Sequence, residues 1–250
     1  PIPPFNPAIE AVASPPGDLS DLMVVDRWIY IQGTLRRLNA FLHPPVSTLQ
    51  GADPELLEPA WVFDLDELGA DFATFKQTPG INRTNILVGT YAFKDNQFTH
   101  RIHRLDRYNG AKVDVLEFND TATLEFIVWQ NWVYVAWAIT DLVNGQDTYH
   151  LAAYTINGFE QKWIQDIDPI AIGNSYLRVL GSTLIHVEEN VLVAHDRFTG
   201  DELWRYTDTG YNYLGSFYDI IASEGAFYIS QGNRVFALDA VDGTRNWSTT

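Results

Sequence analysis

An eleven-residue pattern that occurs twice in the last part of the chain decides the fold. Residues 194–204 have the sequence AHDRFTGDELW, and residues 237–247 have the sequence ALDAVDGTRNW. Ala, Asp, Gly and Trp recur at matching positions, and the two copies begin 43 residues apart. A repeat of this length is typical of one four-stranded blade of a β-propeller.

Each copy follows two runs of alternating apolar residues. The runs are residues 183–187 and 191–194 in the first copy, and residues 226–230 and 234–238 in the second. A short polar turn joins the two runs in both copies, which is the pattern of a β-hairpin. The sequence therefore predicts antiparallel strands around each copy.

Two weaker copies precede these. Residues 153–158 lead to Trp163, with Thr155 at the position of the Asp. Residues 104–110 keep the Asp and the Gly of the pattern, but Asp114 stands where the Trp is expected. The repeat thus extends toward the N-terminal half with partial loss of its marker residues.

The earliest copy is the most altered. It has a strand pattern over 28–33, and its Trp61 follows only after a polar insertion that contains Pro. The sequence predicts five units, at about 20–66, 82–120, 122–168, 174–210 and 216–250. We expect no helix longer than a turn or two outside the 41–60 insertion and the 66–80 connection.

The recurring residues have structural roles in this interpretation. An Asp before a tight turn accepts hydrogen bonds from backbone N–H groups, and a Gly adopts the positive φ that the turn needs. The Trp ring then packs between neighbouring blades. The residues assigned this role are Asp106, Gly110, Trp163, Asp196, Gly200, Trp204, Asp239, Gly243 and Trp247.

These units predict an all-β fold, a β-propeller of four-stranded antiparallel blades. A single blade cannot bury both of its faces, so stacking of blades supplies the core and ring closure removes exposed edges. The five visible repeats fit either a five-bladed ring or part of a larger propeller. We predict an extended, Pro-rich lead-in over 1–19 and one propeller domain over 20–250.

The pattern at 194–204 resembles the tryptophan-docking motif of pyrrolo-quinoline-quinone-type propeller repeats. Two copies match well, one matches in part and two match poorly, over about residues 20–250. The resemblance implies propellers that commonly have seven or eight blades. It covers quinoprotein alcohol and glucose dehydrogenases, and also non-catalytic proteins such as the outer-membrane-protein assembly lipoprotein.

Composition excludes several classes of function. The chain of 250 residues has 32 acidic and 16 basic side chains, a net charge of −16. Such a charge repels nucleic acid and anionic membrane surfaces. No apolar run approaches the roughly 20 residues that span a bilayer. We therefore expect no nucleic-acid partner and no membrane-spanning segment.

The resemblance to quinoprotein dehydrogenases implies a quinone held between a Trp floor and a vicinal disulfide, with a calcium ion and an Asp base. This chain has no Cys, so the disulfide clamp cannot form. We expect no cofactor and no catalytic residue. The prediction is a binding or scaffolding module, and an enzyme that uses the axial cavity is the alternative.

Other chemistry has thin support in the sequence. Glycoside hydrolysis needs two carboxylates about 5–10 Å apart, and Asp26, Asp141 and Asp219 near strand starts are candidates. Four carboxylates within 64–71 suggest a calcium loop but lack the spacing of an EF-hand. We interpret that segment as a solvated loop and expect no metal site.

One cluster of aromatic residues is a candidate binding surface. Trp129, Trp132 and Trp137 crowd nine residues of the central unit, with Trp132 and Trp137 on opposite strand faces. Packing between blades is the favoured interpretation, and a patch for a protein or carbohydrate partner is the other. The lead-in and the resemblance favour an exported protein, secreted, periplasmic or on the cell surface.

Overall fold

The structure, a computed structural model, is all-β and confirms the predicted propeller of antiparallel blades. It describes residues 19–25, 28–33, 36–42, 59–65, 72–75, 79–94, 97–119, 121–141, 146–169, 177–188, 191–207, 217–231 and 233–249. These residues form twenty-one strands in five antiparallel sheets and contain no α-helix. The lead-in predicted over 1–19 lies almost entirely outside the described residues.

The first two sheets form blades 1 and 2. Blade 1 contains β1 (Leu19–Val25), β2 (Trp28–Gly33), β3 (Arg37–Leu42) and β4 (Trp61–Asp64). Blade 2 contains β5 (Phe72–Phe75), β6 (Gly80–Ile81), β7 (Asn85–Lys94), β8 (Gln97–Asp106) and β9 (Lys112–Asn119). Both β5 and β6 pair with β7, so two short strands share the first position of this blade.

Blade 2 therefore begins earlier than the predicted unit at 82. The repeat pattern missed β5 and β6 because its marker Asp, Gly and Trp lie in the last two strands of a blade and the turn between them, not in the first strand. Pairing with β7 defines these strands, and that is a tertiary contact.

The remaining three sheets follow the same order of strands along the chain. Blade 3 contains β10 (Thr121–Trp129), β11 (Trp132–Asp141), β12 (Gln146–Thr155) and β13 (Gln161–Ile167). Blade 4 contains β14 (Arg178–Leu180), β15 (Thr183–Glu188), β16 (Val191–Asp196) and β17 (Glu202–Tyr206). Blade 5 contains β18 (Phe217–Ser223), β19 (Ala226–Gln231), β20 (Arg234–Asp239) and β21 (Arg245–Thr249).

The core is divided among the junctions between consecutive blades. One buried cluster joins blades 1 and 2, and others join blades 2 and 3, 3 and 4, and 4 and 5. Within the described residues, no such cluster joins blade 5 to blade 1. Each inner blade buries both faces, as a sheet sandwiched between two others must.

A tryptophan on the outermost strand contacts the next blade at three junctions. In each case the ring lies against a left-handed glycine, where a Cβ atom would come within 2.6–2.8 Å of the ring. The indole Nε1–H donates to a backbone carbonyl just after the Asp of the same turn. The bonds are Trp61 to Arg107 (3.1 Å), Trp163 to Arg197 (3.0 Å) and Trp204 to Ala240 (3.3 Å).

The fifth position of these turns has two requirements that only glycine meets. The φ values of Gly110, Gly200 and Gly243 are 70°, 81° and 71°, in the left-handed region that disfavours side chains. The missing Cβ also leaves room for the neighbouring indole ring. The Asp that opens each turn accepts from backbone N–H groups, as Asp196 Oδ1 does from Phe198 (2.8 Å) and Thr199 (3.1 Å).

At the junction between blades 2 and 3, the aromatic ring comes from the second of the two blades instead of the first. Asp114 occupies the position of the Trp, opposite Arg104, and Phe159 occupies the position of the left-handed Gly. Phe159 has a φ of 47° and its ring is buried in the cluster between the two blades. The aromatic ring is therefore supplied by the receiving blade. Arg104 Nη1 reaches across to Asn157 Oδ1 (2.8 Å).

The first prediction compares two tryptophans at matching positions of the repeat. Trp204 is 8% exposed and Trp247 is 45% exposed. We expect Trp204→Ala to lower the free energy of unfolding by about 3–5 kcal/mol, since it removes a buried ring. Trp247→Ala should cost less than about 1 kcal/mol. Urea unfolding of both variants measures the difference, and equal losses would contradict the assignment.

The second prediction tests the exchanged junction. Phe159→Gly should destabilise the fold by more than about 1 kcal/mol, because loss of the buried ring outweighs relief of the left-handed backbone. Adding Arg104→Ala and Asp114→Trp rebuilds the arrangement of the other junctions and should recover most of that loss. The matched control is the Arg104→Ala, Asp114→Trp pair with Phe159 retained. It should be less stable than the wild type, because the new indole ring and the Phe159 ring would compete for the same space. Greater stability of this pair, or no recovery in the triple variant, would contradict the exchange. Thermal unfolding compares these chains.

Candidate binding cleft between the third and fourth blades

A polar cleft of about 410 Å³ lies where the outer strands of blades 3 and 4 meet. Its wall from blade 3 is the end of β13 and the residues that follow it. Its wall from blade 4 comes from β15, β16, β17 and the turn before β17. The lining residues are Gln165, Asp166, Ile167, Asp168, Glu188, His195, Gly200, Asp201, Glu202 and Arg205.

Strand pairing places the polar groups of blade 4 on one face. His186 and Arg205 both lie opposite Val193, and His195 lies opposite Leu184. Directly paired residues share a face of an antiparallel sheet. Leu184 belongs to the buried cluster between blades 3 and 4, so this face is directed toward blade 3.

Glu188 is the centre of the polar network. Its side chain is only 3% exposed. Oε1 accepts from His186 Nε2 (3.0 Å) and from the backbone N–H of Asp168 (3.1 Å). Oε2 accepts from Arg205 Nη1 (2.7 Å). Burial opposes ionisation, but these donors outweigh it and hold the pKa of the Glu188 carboxyl below its usual range.

The rim of the cleft has an excess of negative charge. Arg205 also binds Glu202 through Nε (2.9 Å) and approaches Asp168 Oδ2 at 3.6 Å. The lining has five carboxylates, from Asp166, Asp168, Glu188, Asp201 and Glu202, and one guanidinium. His150, outside the lining, contacts Asp166 Oδ1 through Nδ1 at 2.8 Å. The field in the cleft therefore favours a cation.

His195 adds a hydrogen-bond acceptor to the wall. Its Nδ1 lies 2.9 Å from the carbonyl oxygen of Gly200, which can only accept, so Nδ1 must hold the proton. Nε2 then has a lone pair, and this buried atom has no hydrogen-bond partner among the described residues. Burial, together with the neighbouring His186, lowers the pKa of His195, so the ring stays neutral at pH 7.

His186 has the same kind of unpaired nitrogen. Because its Nε2 donates to Glu188, the remaining Nδ1 is buried without a partner in the described part of the chain. The two imidazole rings stack with centroids 5.1 Å apart. Across the described residues, no group of three or more His, Asp or Glu side chains could hold a metal ion. The preference of the cleft for a cation therefore comes from its carboxylates and not from these buried nitrogens.

Sequence reasoning missed this network. The sequence predicts a short polar turn over residues 188–190, whereas Glu188 ends β15 in a buried position. One available signal was the spacing of His186 and Glu188, which puts both side chains on one face of a strand. The contribution of Arg205 and Asp168 depends on strand pairing and on the next blade, so the sequence alone does not show it.

The three clustered tryptophans pack at blade junctions. Trp132 stacks on Tyr134 at 6.2 Å and meets the edge of Phe198 in blade 4 at 5.9 Å. Trp137, on the other face, contacts Phe118 of blade 2 at 5.1 Å. Trp129 is partly buried against the cluster between blades 3 and 4. None of the three lines the cleft.

The three carboxylates considered for glycoside hydrolysis remain a prediction from the sequence. Asp141 ends β11 and Asp219 lies in β18. Asp26 lies outside the described residues, as do residues 66–71 of the acidic segment. Asp64, at the start of that segment, pairs with Arg37 at 2.7 Å.

Comparison with solved structures finds the same fold. Quinohemoprotein alcohol dehydrogenase from Comamonas testosteroni matches with a TM-score of 0.60 and 14% identity, over 94% of this chain and 43% of that protein. A europium-containing methanol dehydrogenase matches with a TM-score of 0.56 and 11% identity, over 91% and 50%. BamB from Moraxella catarrhalis matches with a TM-score of 0.47 and 14% identity, over 90% of this chain and 73% of that protein.

The fold is that of the pyrrolo-quinoline-quinone-type β-propellers, as the repeat predicted. This chain spans half or less of the length of the two dehydrogenases. No known family profile and no curated protein sequence matches it. Within the described residues, no helix is long and apolar enough to cross a membrane.

The third prediction concerns pH and a buried histidine of blade 2. His103 bonds to Thr90 Oγ1 (3.0 Å), and burial, with the charges of Arg101 and Lys112, lowers its pKa to about 4. Between pH 6.5 and 4 the unfolded chain binds a proton that the folded chain does not. His103 should therefore contribute about 3 kcal/mol of stability at pH 7 that is lost as pH falls toward 4.

The measurement is urea unfolding of the wild type and His103→Gln from pH 7.5 to pH 4. The difference between the two isolates this histidine from the carboxylates that titrate in the same range. The variant should lose less stability on acidification than the wild type. Parallel curves for the two proteins would show that His103 is not the cause.

Proposed function

We propose that this chain is a protein-binding scaffold built from propeller blades, without a catalytic centre of its own, in an exported or cell-envelope setting. The acidic cleft between blades 3 and 4 carries the proposal. Its lining has five carboxylates and one guanidinium. A lysine or arginine side chain of a partner protein supplies positive charge against this excess of carboxylates, and N–H donors for the carboxylates at the rim.

The charge of the whole chain supports the same kind of partner. A net charge of −16 attracts a basic surface over long range, and this steering weakens as salt is added. The internal ion pairs of Arg205 leave Asp166 and Asp201 at the rim without an arginine or lysine contact of their own among the described residues. These exposed carboxylates are placed to meet a basic segment first.

A protein partner is favoured over a carbohydrate. Carbohydrate binding in the sequence-based hypothesis used the cluster of Trp129, Trp132 and Trp137 as a stacking surface. Trp132 and Trp137 instead contact neighbouring blades. These contacts between blades leave the carbohydrate alternative without the stacking surface on which it was based.

The fourth prediction uses an array of synthetic peptides rich in Lys and Arg as the probe. The variant Asp168→Asn, Asp201→Asn, Glu202→Gln removes three carboxylates from the cleft and keeps Glu188 with its donors. We expect it to bind the best peptides about tenfold more weakly than the wild type at low salt, with a weaker dependence on salt. Fluorescence anisotropy with labelled peptides measures both.

The matched control removes three exposed carboxylates elsewhere, as Asp147→Asn, Glu160→Gln, Glu224→Gln. It changes the net charge by the same amount and should bind nearly as well as the wild type. Equal losses in the two triple variants would mean that only net charge matters and would contradict a site in the cleft. Turnover of alcohols or aldoses with added quinone and calcium would contradict the non-catalytic role.

A further inference from the structure

Blades 1 and 3 hold the next blade with the same two side chains. In blade 1, Tyr30 and Trp61 lie on either side of Ala40, with ring centroids 6.0 Å apart. In blade 3, Tyr134 and Trp163 lie on either side of Ala153, 6.3 Å apart. Strand register fixes this triad, because each Ala pairs with both aromatic residues.

The turns that these aromatic residues contact in blades 2 and 4 also match each other. Blade 2 has the turn 106–110 with the sequence DRYNG, and blade 4 has the turn 196–200 with the sequence DRFTG. The Trp donates to the carbonyl of the Arg in each turn. The Arg side chain in turn donates to the Tyr hydroxyl, from Arg107 Nε at 3.0 Å and from Arg197 Nη1 at 3.3 Å.

Blade 5 has the same Tyr, Ala and Trp arrangement with which blades 1 and 3 contact the next blade. Tyr228 and Trp247 lie on either side of Ala237, with ring centroids 6.1 Å apart. Yet Trp247 is 45% exposed, and Ile221, which pairs with Tyr228 on the same face, is 59% exposed. No described residue accepts a hydrogen bond from the Trp247 indole. We call this surface, with Val235 beside it, the blade-5 face.

The chain itself has no free turn of the matching kind among its described blades. Trp61 and Trp163 already occupy the turns 106–110 and 196–200. In blade 1, the position two residues after Ala40 is Leu42 in place of the Asp, and no Gly occurs between it and Gly51. The first blade of a second copy therefore does not match either.

We propose that the blade-5 face binds a further propeller blade of the same repeat class, one that has an Asp-Arg-aromatic-x-Gly turn. Trp247 donates to the carbonyl of that Arg, the Arg donates to the hydroxyl of Tyr228, and the indole lies against the Gly. Two internal junctions with these atoms and distances are the template. The proposal does not depend on the acidic cleft, which lies at another junction.

The fifth prediction supplies such a blade to this chain of 250 residues. Residues 174–210, which include the DRFTG turn, are appended through a flexible linker after residue 250. We expect the melting temperature to rise by at least about 4 °C and iodide quenching of Trp247 to fall. Trp247→Phe in the unfused and fused chains identifies the part of the quenching that belongs to this residue.

The matched control alters only the turn in the appended copy, with changes equivalent to Arg197→Ala and Gly200→Ala. It should melt like the unfused chain. A second donor, residues 72–119 with the DRYNG turn, guards against an appended blade that fails to fold. If neither donor protects Trp247 better than its altered-turn control, the proposal is wrong. Trp247-dependent dimers of the unfused chain would also overturn it, since the occupant would be a second copy.

Discussion

The structure depends on an indole ring that lies against a bare backbone in the next blade. A left-handed glycine permits this approach, and the indole N–H satisfies a carbonyl that the turn leaves free. The contact is apolar and directional at once, so it fixes both the spacing and the register of two blades. The other interactions at these three junctions operate within that spacing, and the buried ring of Phe159 serves the junction between blades 2 and 3. Because each contact involves only neighbouring blades, stability accumulates one junction at a time.

The junctions are of different kinds, and the difference places the cleft. The junctions between blades 1 and 2 and between blades 3 and 4 add a Tyr hydroxyl and an Arg side chain to the Trp contact. The junction between blades 4 and 5 has Ala240 at the position of that Arg. The acidic cleft lies at one of the two junctions with additional bonds. Its walls are consequently held by several buried contacts, which reduces the ordering cost of binding a partner.

Much of the fold was predictable because the repeat is a local pattern. Asp196, Gly200 and Trp204 lie within one turn and one strand, so their spacing is visible in sequence. The role of Phe159 was not predictable from its own segment. Its left-handed backbone and buried ring compensate for a Trp that blade 2 lacks, because Asp114 occupies that position. The cleft was hidden for the same reason, since Glu188 meets Asp168 and Arg205 through contacts between elements distant in sequence.

The buried carboxylate of Glu188 explains why the cleft keeps a negative field despite its arginine. A buried charge is costly unless donors surround it, and here Arg205 and His186 both turn toward it. That pairing offsets the positive charge of Arg205, which Glu202 also binds. The carboxylates at the rim are then left to act on solvent and on whatever approaches. The network thus fixes the sign of the surface as well as the position of its groups, and a basic partner is the kind of ligand that such a surface selects.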